Sequence, residues 1–180
     1  MRTKILTALL ALALAAPLAA QEATSTEFLT ADQQRDQANG VVARYEGWEV
    51  RCPEGAEGCR LVSRGLDAEG NEVVNIAMQG LPEGSAASMG VTIVTPLLTL
   101  LPRGVTVRVD GEAPAGFPFS WCDIQGCYAR YGLTADEVQA LRTGTAIKVS
   151  IFAVTNQGDA IEATISLAGF TAAEADLAAR

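Results

Sequence analysis

The chain has 180 residues, of which 13 are lysine or arginine and 21 are aspartate or glutamate, so its formal net charge at pH 7 is −8. This length suits one domain with a sizeable core and is too short for two comfortable ones. The acidic balance disfavours nucleic acid and anionic membrane surfaces as partners, because both repel negative charge.

Residues 1–20 predict a secretory signal peptide. Arg2 and Lys4 make its start positive, an uncharged apolar run follows, and small residues allow cleavage after Ala20 or Ala19. The apolar run is shorter than the roughly 20 residues of a membrane-spanning helix, which favours cleavage over anchoring. Cleavage leaves 11 basic and 21 acidic residues, a formal net charge of −10. We therefore expect an exported protein, either periplasmic or associated with the outer membrane or the cell exterior, with no transmembrane segment.

The rest of the chain divides into a tether and a domain. Residues 21–44 are polar and rich in alanine and glutamine, which predicts a tether with a short helix over residues 30–38. From residue 45 to residue 180, apolar and polar side chains alternate as in antiparallel strands with one buried face. Strands are predicted at residues 48–52, 59–64, 72–79, 90–95, 105–110, 118–122, 127–131, 147–151 and 161–167.

Two helices are predicted from their N-terminal signals. Thr134 with Glu137, and Thr171 with Glu174, have the spacing of capping boxes. Together with the strands, they predict an all-β fold: an immunoglobulin-like antiparallel β-sandwich with two short helices. The periodicity leaves a barrel open as the alternative.

The four cysteines form two close pairs, Cys52 with Cys59 and Cys122 with Cys127. An even number of cysteines in an exported chain predicts disulfides, and four cysteines allow three connectivities. We favour the two local bonds because both intervening loops contain glycine, which lets the chain turn back sharply. The spacing does not match a zinc site or a redox-active pair, and the chain has no histidine.

No catalytic group stands out. Without histidine the commonest general base is missing, and no nucleophile elbow, phosphate loop or dinucleotide fingerprint occurs. Asp136 and Glu137 are most simply solvated carboxylates in a helix cap, and Lys148 is predicted on the wet face of its strand. The sequence therefore predicts a protein that is not an enzyme, with no cofactor and no metal site.

An apolar segment flanked by prolines is the candidate partner-binding site. The segment runs from Pro96 to Pro102 and is followed by Arg103. It is either a core-packing strand or crossover, or a segment at a sheet edge that pairs with another protein. The candidate residues are Pro96, Leu97, Leu98, Leu100, Leu101 and Arg103. Elsewhere, Trp48 and Trp121 each lie near a cysteine, and we expect both to pack in the core.

Four motifs lie in series along the domain. They are Trp48-Glu-Val-Arg-Cys52, Leu101-Pro-Arg-Gly-Val-Thr-Val-Arg-Val-Asp110-Gly111, Pro118-Phe-Ser-Trp-Cys122-Asp-Ile-Gln-Gly126-Cys127-Tyr-Ala and Ser166-Leu-Ala-Gly-Phe170-Thr-Ala-Ala. Together they resemble the invasion-associated locus B family, in that family's order and over essentially the whole domain. The resemblance implies a bacterial envelope protein with an immunoglobulin-like sandwich. It provides no catalytic residues to carry over.

Three functional hypotheses follow. The first is a non-enzymatic, exported envelope protein that acts by binding an envelope or host protein. The second is a surface-exposed factor that contacts host cells during invasion. The third is a periplasmic small-molecule binder or a hydrolase, which requires a deep pocket with converging polar groups.

Overall fold

The computed structural model describes residues 30–56 and 58–180, without the side chains of residues 156 and 157. The predicted signal peptide and the first part of the predicted tether lie outside the described residues.

Antiparallel strands make up most of the described chain. The eleven strands are β1 (Val41–Tyr45), β2 (Trp48–Arg51), β3 (Arg60–Leu66), β4 (Glu72–Gly80), β5 (Met89–Thr95), β6 (Val105–Val109), β7 (Ala115–Phe117), β8 (Phe119–Cys122), β9 (Cys127–Leu133), β10 (Ala146–Ala153) and β11 (Asn156–Ser166). The helices are α1 (Ala31–Ala38), α2 (Ala135–Thr143) and α3 (Phe170–Ala178), with a 3₁₀ turn at Leu101–Arg103. Each predicted strand overlaps an observed one, because the alternation places apolar side chains on the covered face.

Hydrogen bonds join these strands into one sheet. Its order is β7-β6-β10-β11-β3-β4-β5-β9-β8, with β2 also on β3 and β1 on β2. The two ends of this order, β7 and β8, follow each other along the chain, so the sheet curls nearly into a barrel. Across the seam, the rings of Phe117 and Tyr131 stack with centroids 3.8 Å apart. The predicted immunoglobulin-like sandwich is not confirmed, since alternation reports the buried face of a strand and not which strands are neighbours.

The core is filled from alternate strand positions and from α3. Trp48 is fully buried, as predicted, and its indole N–H donates to the carbonyl of Ser166 over 2.9 Å. The ring of Phe170 meets Trp48 edge-on, with centroids 5.1 Å apart. This partner explains how a large polar-tipped ring is accommodated inside the sheet, because its only donor is satisfied.

The N-terminal part of the sheet begins earlier than the predicted domain boundary at residue 45. β1 pairs with β2 from Val41 opposite Arg51 to Tyr45 opposite Trp48. Residues 41–44 therefore belong to the sheet and not to a tether. None of the β1 side chains is fully buried, so the strand lacks the strongly apolar face that the sequence pattern detects. The helix expected over residues 30–38 is present as α1, capped by Thr30.

The first predicted capping box is present at the start of α2. The Thr134 N–H donates to the Glu137 carboxylate over 2.7 Å, and the Glu137 N–H donates back to the Thr134 hydroxyl over 3.3 Å. Two backbone donors at the helix end are thereby satisfied.

The second predicted capping box is wrong, although a helix does form there. α3 begins at Phe170 and is capped by Gly169, which has φ +83° and makes no side-chain cap bond. Thr171 instead donates to the carbonyl of Arg142 over 3.3 Å, and Glu174 pairs with the Arg142 guanidinium. Long-range contacts with α2 thus take the two side chains that the local pattern assigned to a cap. Among the described residues, no helix combines the length and the apolar character needed to span a membrane.

Candidate functional site

Two connections meet at one end of the sheet. β5 ends at Thr95, whose Cα partner is Cys127 at the start of β9, and Cys127 is in turn the partner of Cys122 at the end of β8. The proline-flanked segment leaves β5 at this point and reaches β6 at residue 105. We call residues 96–104 the leucine loop. The leucine loop, residues 121–127 and residues 153–154 together form what we call the end surface.

Backbone hydrogen bonds fix the leucine loop along the last residues of β10. The Leu100 N–H donates to the carbonyl of Phe152 over 2.7 Å, and the Val154 N–H donates to the carbonyl of Leu98 over 2.8 Å. Between them, Thr99 forms an isolated bridge with Ala153. The loop therefore lies beside the end of a strand and is not itself a core strand, although it crosses from β5 to β6, which are not neighbours in the sheet.

The leucines of this loop face outward. The exposed fractions are 52% for Leu97, 68% for Leu98 and 43% for Leu101, while Leu100 is half-buried and Thr99 is buried. A core-packing strand would bury its leucines and expose its threonine. The core-packing interpretation is therefore wrong for these three leucines.

A pair of buried threonines explains why the polar residue of the loop points inward. The Thr99 hydroxyl lies 2.7 Å from the carbonyl oxygen of Pro96 and 3.1 Å from the hydroxyl oxygen of Thr95. The Thr95 hydroxyl lies within 3.3 Å of the carbonyl oxygen of Cys127. Buried hydroxyls need such partners, and these tie the leucine loop to the neighbouring disulfide.

Leu98 breaks two local rules at once. It is the most exposed leucine of the loop, and its φ of +70° lies in the left-handed region. For a residue with a side chain, this region costs roughly 1–2 kcal/mol. A strained and exposed apolar residue held by its neighbours is the kind of local conflict that functional sites contain.

A groove of about 470 Å³ separates the end of the leucine loop from the edge of β7 and β8. Leu101 and Arg103 line one side, and Phe117, Phe119 and Trp121 line the other. Pro118 lies between the two edge strands, where a missing backbone N–H is tolerated. The groove thus combines apolar walls with the open edge of a sheet.

Arg103 brings a positive charge to this groove. Its guanidinium lies 3.9 Å from the ring centroid of Phe152, a cation–π arrangement. No ion pair between described residues includes Arg103. The planar guanidinium retains donors that suit a carboxylate.

Trp121 is a surface residue, so the prediction that it packs in the core is wrong. It is 45% exposed and stacks on Tyr128 with ring centroids 4.8 Å apart. β8 has a neighbour on one side, β9, which leaves the other side of this four-residue strand open. Pro118, just before the strand, is the signal of an edge position that could have corrected the expectation. Ile124 at the tip of the adjacent loop is 93% exposed.

Both disulfides are present with the predicted local pairing, at opposite ends of the sheet. The Cys122–Cys127 bond, with Cα atoms 4.0 Å apart, closes the loop of the end surface. The Cys52–Cys59 bond, with Cα atoms 4.2 Å apart, closes a loop next to the start of β3, which pairs with the far end of β4. The first bond therefore belongs to the candidate site, and the second does not.

The end surface collects apolar side chains that a monomer leaves in water. Those exposed by more than two fifths are Leu97, Leu98, Leu101, Trp121, Ile124 and Val154. Contiguous apolar surface of this kind marks contact sites more often than scattered single residues do. With one cation and an aromatic pair beside it, the arrangement suits the burial of another molecule's apolar segment.

A family model and two proteins of known sequence match this chain. The family model described as "Invasion associated locus B (IalB) protein" matches residues 48–178. An invasion protein B homolog of Brucella abortus strain 2308 is 27% identical over 136 residues, which cover 76% of this chain and 78% of that protein. The homolog of Brucella abortus biovar 1 strain 9-941 gives the same values.

A solved structure has the same fold. The crystal structure of invasion associated protein b from Bartonella henselae superimposes with a TM-score of 0.64 at 20% sequence identity. The match covers 76% of this chain and 95% of that one.

Proposed function

The chain belongs to the invasion associated locus B family, and from this premise we propose that it is an exported, non-enzymatic protein of the bacterial envelope. In this proposal it acts by binding another protein through the end surface. The single observation that supports it most is the outward display of Leu97, Leu98 and Leu101 on a loop held in place by a buried threonine pair.

The cost of this display is the physical argument. Burying an exposed leucine side chain is worth roughly 1.5–3 kcal/mol, so a loop that turns three leucines outward forgoes stability of its own. Leu98 adds backbone strain. A partner that covers the loop buries these leucines, and the hydrophobic stabilisation that the folded chain forgoes then contributes to binding.

The groove specifies the kind of partner segment. An extended peptide can pair with the open edge of β8 while its apolar side chains lie against Leu101 and Trp121. A carboxylate of the same segment can meet Arg103, whose guanidinium carries no ion pair within the described chain. The proposed partner is therefore an envelope protein with an exposed, extended, apolar segment that contains an acidic residue.

Export and compartment are part of the proposal. Two disulfides are typical of oxidising compartments such as the periplasm or the cell exterior. The names of the Brucella and Bartonella proteins favour a second candidate function, direct contact with host cells from the bacterial surface. Both candidates use the same end surface and differ in where the domain is exposed.

The third hypothesis, a small-molecule binder or hydrolase, has less support. The hollow beside Val107, Leu133 and Leu141 measures about 100 Å³. Ligand pockets typically have volumes of roughly 300–1,000 Å³. Grooves of about 390–750 Å³ do reach this range of volume, but they are open to solvent rather than deep.

Site-specific crosslinking in the producing cells tests the proposal. A photo-crosslinking residue at position 101 should capture a defined envelope protein, identified by mass spectrometry. The double change Leu97→Ser and Leu101→Ser should abolish capture of that protein from a crosslinker at position 124. Val42→Ser, which alters an equally exposed apolar residue on β1, is the matched control and should capture normally.

Protease treatment of intact cells separates the two locations. A shielded domain with a reproducible envelope partner supports the periplasmic function. A domain cleaved on intact cells supports contact with host proteins. Equal capture by the Leu97/Leu101 variant and the Val42 variant would contradict binding through the end surface.

A further inference from the structure

Arginines that pair with no described carboxylate mark a second surface of this acidic protein. The described part of the chain contains eleven lysine and arginine residues, and eight of them form ion pairs with described carboxylates. The exceptions are Arg60, Arg103 and Arg130. Arg103 belongs to the end surface, whereas Arg60 and Arg130 both line one groove on the outer face of the sheet. With an excess of acidic residues available, two guanidiniums in one groove that pair with no described carboxylate require an explanation.

This groove, of about 510 Å³, crosses four neighbouring strands. In the register of the sheet, Val62 of β3, Ala77 of β4, Thr92 of β5 and Arg130 of β9 stand in one row. Arg60 lies two residues before Val62 and so shares its face. At about 4.8 Å per strand, the two arginine positions are roughly 14 Å apart across the sheet. An elongated molecule with several negative groups can span this separation and meet both arginines.

The floor between the arginines combines apolar and polar side chains. Its row is made of the short side chains of Val62, Ala77 and Thr92. The amide side chains of Asn75 and Gln79 line the same groove. Amides and hydroxyls both donate and accept hydrogen bonds, which suits a ligand rich in hydroxyl groups.

An aromatic pair lies at the Arg130 end of the groove. Tyr128 lines it and carries the stacked ring of Trp121, with the Arg130 guanidinium carbon 5.9 Å from the Trp121 ring centroid. The faces of aromatic rings are electron-rich and attract C–H groups that carry partial positive charge, such as those of a sugar ring.

We propose that this outer face binds an extended acidic polysaccharide, a chain of carboxylate-bearing sugars. Arg60 and Arg130 each pair with one carboxylate, and the amides between them bond to sugar hydroxyls. Charge complementarity selects an anion, because planar guanidinium groups match carboxylates with two parallel hydrogen bonds. The overall negative charge of the protein weakens the approach, but at physiological salt such repulsion is screened beyond about 8 Å.

An acidic peptide fits this face less well. β3, β4, β5 and β9 have neighbours on both sides, so their backbone groups are already paired and no strand can be added. Nucleic acid requires a broader basic surface than two arginines, since its affinity comes from many phosphate contacts.

The test is titration of the purified, disulfide-intact protein with a tetramer of galacturonic acid at physiological salt, where repulsion by the acidic protein is screened. Binding is followed by calorimetry and by the fluorescence of Trp121. We expect Arg60→Gln and Arg130→Gln each to weaken binding by roughly tenfold, the magnitude of a charge-assisted hydrogen bond. Arg108 is the control, because it lies on β6 outside the groove and pairs with Glu162. Arg108→Gln should change the affinity by less than about twofold. Raising the salt concentration well above the physiological level should weaken binding, because it screens the arginine–carboxylate pairs.

The outcomes separate the ligand classes. Maltotetraose, a neutral chain of the same length, should not bind measurably. Equal binding of the two sugars, or no effect of the arginine changes, overturns the proposal. Tighter binding of tetraglutamate than of the galacturonate tetramer overturns it in favour of an acidic peptide, and no binding of either overturns it altogether. These results are independent of partner capture, because the Leu97/Leu101 variant should bind the galacturonate tetramer normally.

Discussion

Thr95 and Thr99 face each other inside one end of the sheet, with their hydroxyl oxygens 3.1 Å apart and both side chains buried. In most apolar segments the leucines are buried and the hydroxyl groups face the solvent. Here the hydroxyls are buried, and Leu97, Leu98 and Leu101 are exposed. Since Thr95 also reaches the carbonyl of Cys127, one small polar cluster positions both the leucine loop and the disulfide loop.

Removing the Thr99 hydroxyl should loosen the leucine loop. Thr99→Val keeps the shape of the side chain and removes the buried hydroxyl, which leaves the carbonyl of Pro96 without its 2.7 Å partner. We expect the free energy of unfolding to fall by about 1–2 kcal/mol, measured by urea denaturation. Thr106→Val, at a half-buried position of β6, is the control and should shift stability by less. Equal losses in the two variants would contradict the importance of the threonine pair.

Leu98 should be replaceable without loss of stability. Asparagine tolerates the left-handed region better than leucine does, and a side chain that is 68% exposed has few contacts to lose. We expect Leu98→Asn to keep or raise the free energy of unfolding, by up to about 1 kcal/mol, while reducing capture of the protein partner. Thermal unfolding and crosslinking measure the two effects. A clear loss of stability would mean that Leu98 is a packing residue.

The two disulfides should differ in their effect on binding and not in their effect on stability. Loop entropy assigns each of these short rings about 2–2.5 kcal/mol, so replacing either cysteine pair by alanine should destabilise the domain comparably. Only the Cys122/Cys127 variant should lose partner capture, because that bond shapes the end surface. The Cys52/Cys59 variant, altered at the opposite end, is the matched control. Loss of capture in both would indicate a general effect of unfolding.

Asp110 should make the free energy of unfolding depend on pH. The Thr145 hydroxyl, the Thr145 N–H and the Ala146 N–H donate to its carboxylate over 2.6, 2.9 and 3.0 Å. These bonds, led by that of the Thr145 hydroxyl, hold the pKa of Asp110 below its ordinary value of 3.8. The stabilisation is therefore present above pH 3.8 and is lost as the pH falls through the lower pKa of the folded state.

Thermal unfolding between about pH 7 and pH 2 tests this dependence. Asp110→Asn should lower the melting temperature near neutrality, and the difference from the unaltered protein should shrink below pH 3.8. Glu112→Gln, in the same turn, is the control and should leave the profile unchanged. A constant difference across the whole range would show that the carboxylate charge is not responsible.

Local patterns predicted much of this molecule and failed where distant segments compete. Alternation located most strands, but it missed β1, which has no buried side chain, and β7, which has only three residues. The capping pattern at Thr171 was overridden by contacts with Arg142, a residue of another helix. Trp121 was assigned to the core because the sequence does not state that its strand lies at the sheet edge.

The mainly β character, the favoured local pairing of the cysteines and the family resemblance could all be predicted from short stretches of residues. That the strands form one nearly closed sheet, that Leu97, Leu98 and Leu101 face outward, and that Arg60 and Arg130 share a groove emerged from the packing of distant segments. This division follows from the period of the strand. It tells which side chains share a face, whereas the strands packed beside that face determine whether it is buried or left for a partner.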